Sequence, residues 1–206
     1  MMKISCTGTG KRFNRDWIFR NFTFEFVAAN NYAITGPNGS GKSTLLQVIA
    51  GAVVSSEGHI QYQAGNIQLE TDEVYNFISI AAPYLDVIEE MTLTEFLHFH
   101  QIFKPFLPGL EIKKIISTLG LQKAAHKQIR YYSSGMKQRV KLAQAIFSAT
   151  PCLLLDEPCT NLDEAGIQLY HQLINEYCTD RLILVSSNDV RDYSFCKTIL
   201  NILDYK

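Results

Sequence analysis

Short apolar runs alternate with longer helical patterns along the 206-residue chain. The runs contain little polar alternation, and they cover residues 31–35, 77–81, 152–155, 182–185 and 198–202. Runs of this kind are typical of strands that are buried on both faces, as in a parallel sheet covered by helices. After the first run and a glycine-rich turn, residues 43–50 predict a helix that Gly51 ends. The pattern therefore predicts an α/β fold built on a mostly parallel sheet.

The section from about residue 84 to residue 150 has a different, mostly helical pattern. Thr92 can cap a helix that Pro105 later interrupts. A second helix is predicted because apolar residues recur at spacings of four, three and four, on one helical face: Met136, Val140, Ala143 and Phe147. We therefore expect a helical lobe of about 84–150, inserted between strands of the sheet.

The stretch up to about Val27 predicts a further β element. Residues 22–26 alternate between apolar and polar, which is typical of strands with one buried face. We therefore expect an N-terminal antiparallel β portion. No internal repeat or low-complexity tract divides the chain, so we expect a single domain over residues 1–206.

Composition narrows the choice of partners and compartment. The net charge of -1 and the pI near 6.5 give no long-range attraction for nucleic acid, so none is expected as a partner. The five cysteines contain no Cys-x-x-Cys pair, and we expect small buried side chains in a reducing compartment. The first residues lack the continuous apolar core of a signal peptide, so none is expected, and no stretch approaches the ~20 apolar residues of a membrane span. If the protein acts at a membrane, another chain is expected to span it.

The first candidate site is a glycine-rich loop between a predicted strand and a predicted helix. Gly36-x-x-x-x-Gly41-Lys42-Ser43 fits the phosphate-binding pattern Gly-x-x-x-x-Gly-Lys-Ser/Thr without a mismatch. Glycines let successive N–H groups point into one hollow and donate to phosphate oxygens, and the helix dipole adds to this effect. The alternative is an ordinary turn ahead of a helix. The predicted nucleotide-binding residues are Gly36, Pro37, Asn38, Gly39, Ser40, Gly41, Lys42, Ser43 and Thr44.

Two carboxylates follow the apolar run at 152–155. Asp156 and Glu157 stand at the mouth of a predicted buried strand, where ligands bind in open α/β sheets. Asp156, together with the Ser43 hydroxyl, is predicted to hold Mg²⁺, and Glu157 to act as a base or to position water at the γ-phosphate. Taken alone, the pair also fits a strand that runs into a solvated acidic turn. Beside a phosphate loop, we interpret the fold as a P-loop NTPase.

The third element is the segment 132–139, Tyr-Ser-Ser-Gly-Met-Lys-Gln-Arg. Ser133 and Ser134 can cap the helix that follows, which leaves free N–H groups at its start. A plain helix cap fits this segment equally well in isolation.

The order of these motifs resembles the ABC ATPase family over essentially the whole chain. Residues 160–163, Thr-Asn-Leu-Asp, complete the series after Asp-Glu-Pro. The resemblance implies that two nucleotide domains sandwich two ATP molecules head to tail, with the phosphate loop of one facing the signature segment of the other. It assigns Ser133, Ser134, Gly135 and Met136 to that signature, Asp163 to a loop that contacts the dimer partner, and Phe13 to stacking on adenine. A core role for Phe13 is the alternative.

The chain departs from the family pattern in ways that bear on hydrolysis. Ser134 and Met136 replace a glycine and a glutamine of the signature, and the resulting sequence resembles that of small single-domain exporters, including the haem-exporter type. Residues 82–85 lack the glutamine that links the Mg²⁺ site to the lobe in the family. Asn188 stands where the family has a histidine that contacts the γ-phosphate. Because an amide donates a weaker, uncharged hydrogen bond, we predict ATP binding with slow hydrolysis.

The function implied by the resemblance is an ATP-binding and ATP-hydrolysing subunit that powers a membrane transporter through nucleotide-driven dimerisation. Its expected partners are a second nucleotide-binding domain, in a homodimer or heterodimer, and a separate integral membrane permease. The expected location is the cytoplasmic face of the membrane. Phe96, Phe99, Phe103 and Phe106 either contact that permease or pack in the lobe.

Two alternatives remain open at this point. One is a soluble, non-transport ABC protein, although such proteins usually carry tandem cassettes, long coiled coils or basic extensions that are absent from this sequence. The other is a regulatory subunit with a degenerate site, in which binding rather than hydrolysis drives dimerisation. A metal site at His98 and His100 is disfavoured, because on a helix the two side chains lie about 200° apart.

Overall fold

The computed structural model describes residues 1–206, which form nine strands and six α-helices in one chain. In chain order these are β1 (Met2–Phe13), β2 (Asp16–Val27), β3 (Asn31–Thr35), α1 (Lys42–Ile49), β4 (Glu57–Ala64), β5 (Ile67–Leu69), β6 (Ile78–Ala81), α2 (Leu93–Phe103), α3 (Ile112–Thr118), α4 (Ser134–Ile146), β7 (Cys152–Asp156), α5 (Glu164–Tyr177), β8 (Leu182–Ser186), α6 (Val190–Tyr193) and β9 (Thr198–Asn201). None of the helices has both the length and the apolar character needed to cross a lipid bilayer.

A five-stranded sheet forms the centre of the molecule, in the order β6-β7-β8-β3-β9. All its strand pairs are parallel, and every residue of β7 and β8 is buried. Strands of this kind need apolar residues on both faces, which is why their sequences show no alternation. The predicted parallel sheet is therefore confirmed. Since the strands are parallel, the carboxyl ends of β3, β7 and β8 meet at one edge.

The N-terminal strands form a second, antiparallel sheet in the order β2-β1-β4-β5. One face of this sheet packs on α1 and the central sheet, and it contributes Ile4, Phe22 and Phe26 to a shared core. The predicted N-terminal antiparallel portion is confirmed. The strands β4 and β5 extend it, and the sequence pattern did not predict them.

Between β6 and β7 the chain forms the helical section α2 to α4. Thr92 caps α2 in a capping box, because its side chain accepts from Glu95 N–H while the Glu95 carboxylate accepts from Thr92 N–H. Ser133 caps α4 and accepts from Met136 N–H at 3.3 Å. Of the four lobe phenylalanines, Phe96 is buried and Phe106 packs against the same core, whereas Phe99 and Phe103 are exposed.

A buried arginine joins the lobe to the sheet at the edge opposite to the carboxyl ends of the strands. Arg181 is 6% exposed, and its Nη atoms donate to Ile146 O at 2.6 Å, Ser79 Oγ at 2.8 Å and Thr150 Oγ1 at 2.8 Å. Hydrogen bonds of this kind offset the cost of burying a charge, although Arg181 Nε has no partner. Arg181 thereby fixes the carboxyl end of α4 to β6.

The five cysteines are free. Cys6, Cys152, Cys159 and Cys178 are buried and Cys196 is half-buried. Burial raises the pKa of the Cys152 thiol to about 12, so this side chain behaves as a small apolar residue.

His100 is the half-buried member of the His-x-His pair. Its Nε2 lies 2.9 Å from Ser148 Oγ, and its ring stacks with those of Phe96 and Phe106. Burial, with a smaller contribution from the charge of Lys104, lowers its pKa from 6.5 to about 4. The folded chain therefore holds this imidazole neutral near neutral pH.

This burial predicts that the protein loses stability in mild acid. Between pH 6.5 and about 4 the unfolded chain binds a proton at His100 that the folded chain excludes, so the free energy of unfolding falls as pH falls through that window. Since the ring is only partly buried, we expect a loss of about 1–2 kcal/mol. Urea unfolding at pH 7.5 and pH 5 should show a smaller loss for His100→Gln than for wild type. The exposed His98→Gln variant is the control, and an unchanged loss in His100→Gln would contradict the assignment.

Candidate nucleotide-binding site

The phosphate loop joins β3 to α1 in a conformation that only glycine adopts easily. Gly36 and Gly41 have φ angles of 143° and 100°. A Cβ at Gly41 would lie 2.4 Å from Ile18 Cγ2, and one at Gly36 would lie 2.6 Å from Ile202 Cγ2. Both neighbours press on the outside of the loop, so the glycines allow the backbone to curl tightly over the start of α1.

Lys42 lies folded across this loop and is 5% exposed. Its ammonium donates to Gly36 O at 2.9 Å and to Pro37 O at 3.2 Å. The Ser40 hydroxyl is buried beside it without a hydrogen-bond partner. No acidic residue occupies the first turn of α1, so nothing opposes an anion at this helix start. The loop therefore presents a buried cation and free donors, which suits a phosphate group. Ser43 and Thr44 follow at half-buried positions.

Asp156 ends β7 at the carboxyl edge of the sheet, the same edge at which the phosphate loop leaves β3. It is 2% exposed, and its Oδ1 has no hydrogen-bond partner. It pairs in register with Ser186 of β8, whose buried hydroxyl is also without a partner. Buried polar atoms are rarely left unsatisfied, and an unpaired carboxylate oxygen here fits a bound cation such as Mg²⁺.

Glu157 takes a left-handed backbone conformation with φ 45°. Its N–H donates to Ser186 O at 2.9 Å, which holds the turn against β8. Positive φ is uncommon for residues other than glycine, and such strain clusters at functional sites. The turn directs the chain away from the sheet immediately after the two carboxylates.

Asn188 follows β8 and reaches the phosphate loop. Its Nδ2 donates to Asn38 Oδ1 at 2.8 Å, across a separation of 150 residues in sequence. The fold thus brings together Asn38 of the loop and Asn188, which is predicted to contact the γ-phosphate.

Tyr84 occupies the turn after β6, in the segment 82–85 that contains no glutamine. Burial raises the pKa of Tyr84, a hydrogen bond with Gln47 of α1 opposes this, and the nearby charge of Asp156 adds a smaller increase. Lys141 of α4 donates to Pro83 O at 3.0 Å, which ties the turn to the helical section. Sequence reasoning noted the absent glutamine but missed Tyr84, because no motif marks it.

The signature residues lie in a separate cleft. Ser133, Ser134, Gly135 and Met136 line a hollow of about 460 Å³ together with Arg139, Asn161 and Asp163, and no phosphate-loop residue lines it. Asp163 caps α5 by accepting from Gly166 N–H at 2.8 Å, and its Oδ1 lies 3.3 Å from Arg139 Nη2. Within one chain, therefore, these predicted nucleotide contacts do not share a pocket with the phosphate loop.

Phe13 is the last residue of β1, immediately before the turn to β2. Its ring is 49% exposed, and Lys11 Nζ lies 4.9 Å from the ring centroid. The alternative of a core role for Phe13 is wrong, because the ring faces solvent. An exposed aromatic face remains free to stack on a planar ligand.

The strand order, the glycine loop at the first parallel strand and the paired carboxylates define a P-loop nucleotide-binding fold with an inserted helical section. The family model for the ABC transporter matches residues 19–160. The chain therefore belongs to the ABC transporter family, as one of its ATP-binding subunits.

Individual relatives agree with this assignment. The chain is 31% identical to an ABC transporter ATP-binding protein of Bacillus subtilis, over 92% of this chain and 88% of that protein. It is also 31% identical to a cytochrome c biogenesis ATP-binding export protein of Bradyrhizobium diazoefficiens, over 85% of this chain and 83% of that one.

Solved structures share the fold at lower identity. A bacterial Atm1-family ABC exporter with ATP bound superposes with a TM-score of 0.81 at 19% identity, over 97% of this chain and 37% of that chain. A dimeric bacterial ABC transporter cassette superposes with a TM-score of 0.77 at 23% identity, over 98% and 95% of the two chains. The predicted fold class is thus confirmed.

Proposed function

We propose that this chain binds ATP with Mg²⁺, dimerises around it, hydrolyses it slowly and thereby powers a membrane transporter. The observation that carries the proposal is the convergence of three features at one sheet edge. These are the curled glycine loop with its buried Lys42, the unpaired buried oxygen of Asp156, and Glu157 on the turn that follows.

Each residue has a role that its surroundings support. Lys42 would exchange its two carbonyl acceptors for the β- and γ-phosphate oxygens, while loop N–H groups from Gly36 to Thr44 donate to the same phosphates. Ser43 and Asp156 would hold Mg²⁺, which neutralises developing phosphate charge when bound. Glu157 would position the attacking water and accept its proton. Asn188 would donate an uncharged hydrogen bond to the γ-phosphate, and Phe13 would stack on adenine.

The separation of the two clefts supports a composite site. Since no phosphate-loop residue lines the cleft of Ser133 to Met136, that segment would complete the ATP site of a second nucleotide-binding domain, in a homodimer or heterodimer. Residues 1–206 would then form a single nucleotide-binding domain with a lobe of about 84–150, and Asp163 would contact the partner.

The membrane part of the transporter would be a separate permease, with this subunit on its cytoplasmic face. The relatives whose names describe transporter and export ATP-binding proteins support this arrangement. The exposed Phe99 and Phe103 on α2 offer apolar contacts on the lobe surface.

The test is ATP-dependent dimerisation of the purified chain. Light scattering with ATP and Mg²⁺ should show a dimer, most clearly when Glu157→Gln blocks turnover, whereas ADP should leave a monomer. Co-purification of a multi-helix membrane protein would test the transport role. A chain that stays monomeric with ATP and shows no ATP affinity would overturn the proposal.

A regulatory subunit with a degenerate site is the second candidate. The observations that favour it are Asn188 in place of the family histidine and Tyr84 in the turn that lacks the glutamine. In that case ATP would drive dimerisation without turnover, so the measured rate of hydrolysis separates the two candidates.

Restoring a histidine at position 188 should raise turnover. Histidine can carry charge, and a charge-assisted hydrogen bond to the γ-phosphate is about twice as strong as a neutral one. We therefore expect Asn188→His to increase kcat by roughly tenfold, which is less than the 10²–10³ that a whole transition-state donor typically contributes, because Asn188 already supplies an uncharged donor. Steady-state ATPase assays of wild type, Asn188→His and Asn188→Ala measure this. If Asn188→His turns over no faster than wild type, Asn188 is not what slows the enzyme.

A further inference from the structure

A buried carboxylate joins the two loops that carry the catalytic residues. Asp192 of α6 is 3% exposed. Its Oδ1 accepts from Cys159 N–H at 2.9 Å, in the loop 157–163 that follows β7. Its Oδ2 accepts from the Ser187 hydroxyl, in the loop 187–189 that follows β8. We call these segments the β7 loop and the β8 loop. Neither the phosphate motif nor the acidic motif includes Asp192.

No cation compensates the Asp192 charge. Arg191, the next residue along α6, is paired with Asp189, with Nε–Oδ distances of 2.9 and 3.0 Å. A buried carboxylate without a counter-ion depends on hydrogen-bond donors, and leaving one of its oxygens unsatisfied is strongly unfavourable. Here one donor comes from each loop. If either loop moves alone, the carboxylate loses half of its support.

The surroundings hold Asp192 itself in place. Its main-chain carbonyl accepts from the Tyr170 hydroxyl at 2.8 Å, which fixes α6 against α5. Ser187 Oγ in turn accepts from Asp189 N–H at 2.9 Å, so the β8 loop is closed around the same contact. Burial, followed by the hydrogen bond to Asp192, raises the pKa of the Cys159 thiol, which keeps this neighbour neutral.

The two loops enclose one cleft. It has a volume of about 340 Å³, and its lining includes Glu157 and Asn161 from the β7 loop and Asn188 from the β8 loop. The proposed water-positioning carboxylate and the proposed γ-phosphate contact thus face a common space, and Asp192 belongs to its lining.

We infer that Asp192 is a positioning residue that makes the β7 loop and the β8 loop move as one unit. When Asn188 engages the γ-phosphate, the shared carboxylate carries that displacement to Glu157 and to the dimer-facing Asp163. The loss of the γ-phosphate releases both loops together. This inference rests on the proposed function, and it assigns the coupling between nucleotide state and dimer contact to a residue that touches no nucleotide.

Two variants break the link at opposite ends. Asp192→Asn keeps one oxygen for Cys159 N–H but replaces the other with an amide that cannot accept from Ser187. Ser187→Ala removes the donor and leaves the carboxylate intact. The control is Asp180→Asn, a change of the same chemistry at an exposed position remote from both loops. Thermal unfolding of each protein reports whether it is folded.

The measurements distinguish a loss of coupling between the two loops from a general loss of folding or of ATP binding. We expect KM for ATP and the affinity of the monomer for a fluorescent ATP analogue to change by less than about threefold, because the phosphate loop is untouched. We expect kcat, and ATP-driven dimerisation in a Glu157→Gln background, to fall by roughly tenfold, a typical coupling between sites. The double variant Asp192→Asn/Ser187→Ala should lose no more than either single variant, because both remove the same contact.

The outcomes are distinct. Folded variants that dimerise and turn over like wild type would overturn the inference alone, as would a rise in KM accompanied by a parallel fall in kcat and in melting temperature. A wild-type chain that neither binds ATP nor dimerises would overturn the proposed function and this inference with it.

Discussion

Glu157→Gln should reduce ATP hydrolysis by roughly 10²–10⁴-fold, the contribution that a positioned general base typically makes. Glutamine keeps the shape and the strained turn of Glu157, whose N–H is held by Ser186 O, but it cannot accept a proton. ATP affinity should stay within a few-fold of wild type, because the phosphate loop is unchanged. Since the chemical step is blocked, the ATP-bound dimer should persist.

The measurement is steady-state phosphate release alongside ATP binding and light scattering. Glu176→Gln, on the exposed side of α5, is the matched control and should behave as wild type. Equal, near-zero rates for wild type and Glu157→Gln would contradict the catalytic assignment and favour the regulatory candidate.

Lys42→Met should weaken ATP binding by roughly a hundredfold or more. The ammonium of Lys42 is almost fully buried and bonded only to two loop carbonyls, so it is already positioned where phosphate oxygens are expected. Hydrogen bonds to charged groups contribute about 1.5–3 kcal/mol each, and two such bonds account for a change of this size. Methionine fills a similar volume without the charge.

Equilibrium binding of a fluorescent ATP analogue measures this effect, with Lys113→Met as the control at an exposed position of α3. The melting temperature should change little without nucleotide, and the ATP-induced rise in melting temperature should disappear. Wild-type affinity in Lys42→Met would show that the loop does not bind phosphate through this side chain.

How much of the fold the sequence predicts depends on how each element is buried. The strands β3, β7 and β8 are apolar on both faces, so each appears in the sequence as a continuous apolar run. Runs of this kind predict a parallel sheet. The strand β4, Glu-Gly-His-Ile-Gln-Tyr-Gln-Ala, has only Tyr62 fully buried and carries no comparable run. It is a strand because it pairs with β1, which is a tertiary property.

The residues of the candidate site also differ in how well the sequence predicts them. The phosphate loop is one continuous segment, and so is the pair of carboxylates at 156–157. The chemistry of each can therefore be predicted from residue types and spacing alone. Tyr84 cannot be recognised from the sequence, because only the fold brings its turn near Asp156. Asp192 cannot be recognised either, because its contact with Cys159 spans 33 residues. The separation of the signature cleft from the phosphate loop within one chain is likewise a matter of three-dimensional placement.

The anchoring of α4 by Arg181 bears on how the lobe can transmit force. The helix is fixed at its carboxyl end, while Ser133 and the rest of the signature segment stand at the other end. The 13 residues of α4 make the helix roughly 20 Å long. If α4 tilted by about 10° around its end at Arg181, the signature segment would move by about 3 Å. The turn at Pro83, tied to Lys141 about halfway along, would travel a correspondingly shorter arc. A small displacement near the sheet would thus become a larger one at the signature segment, the surface proposed to meet the second ATP.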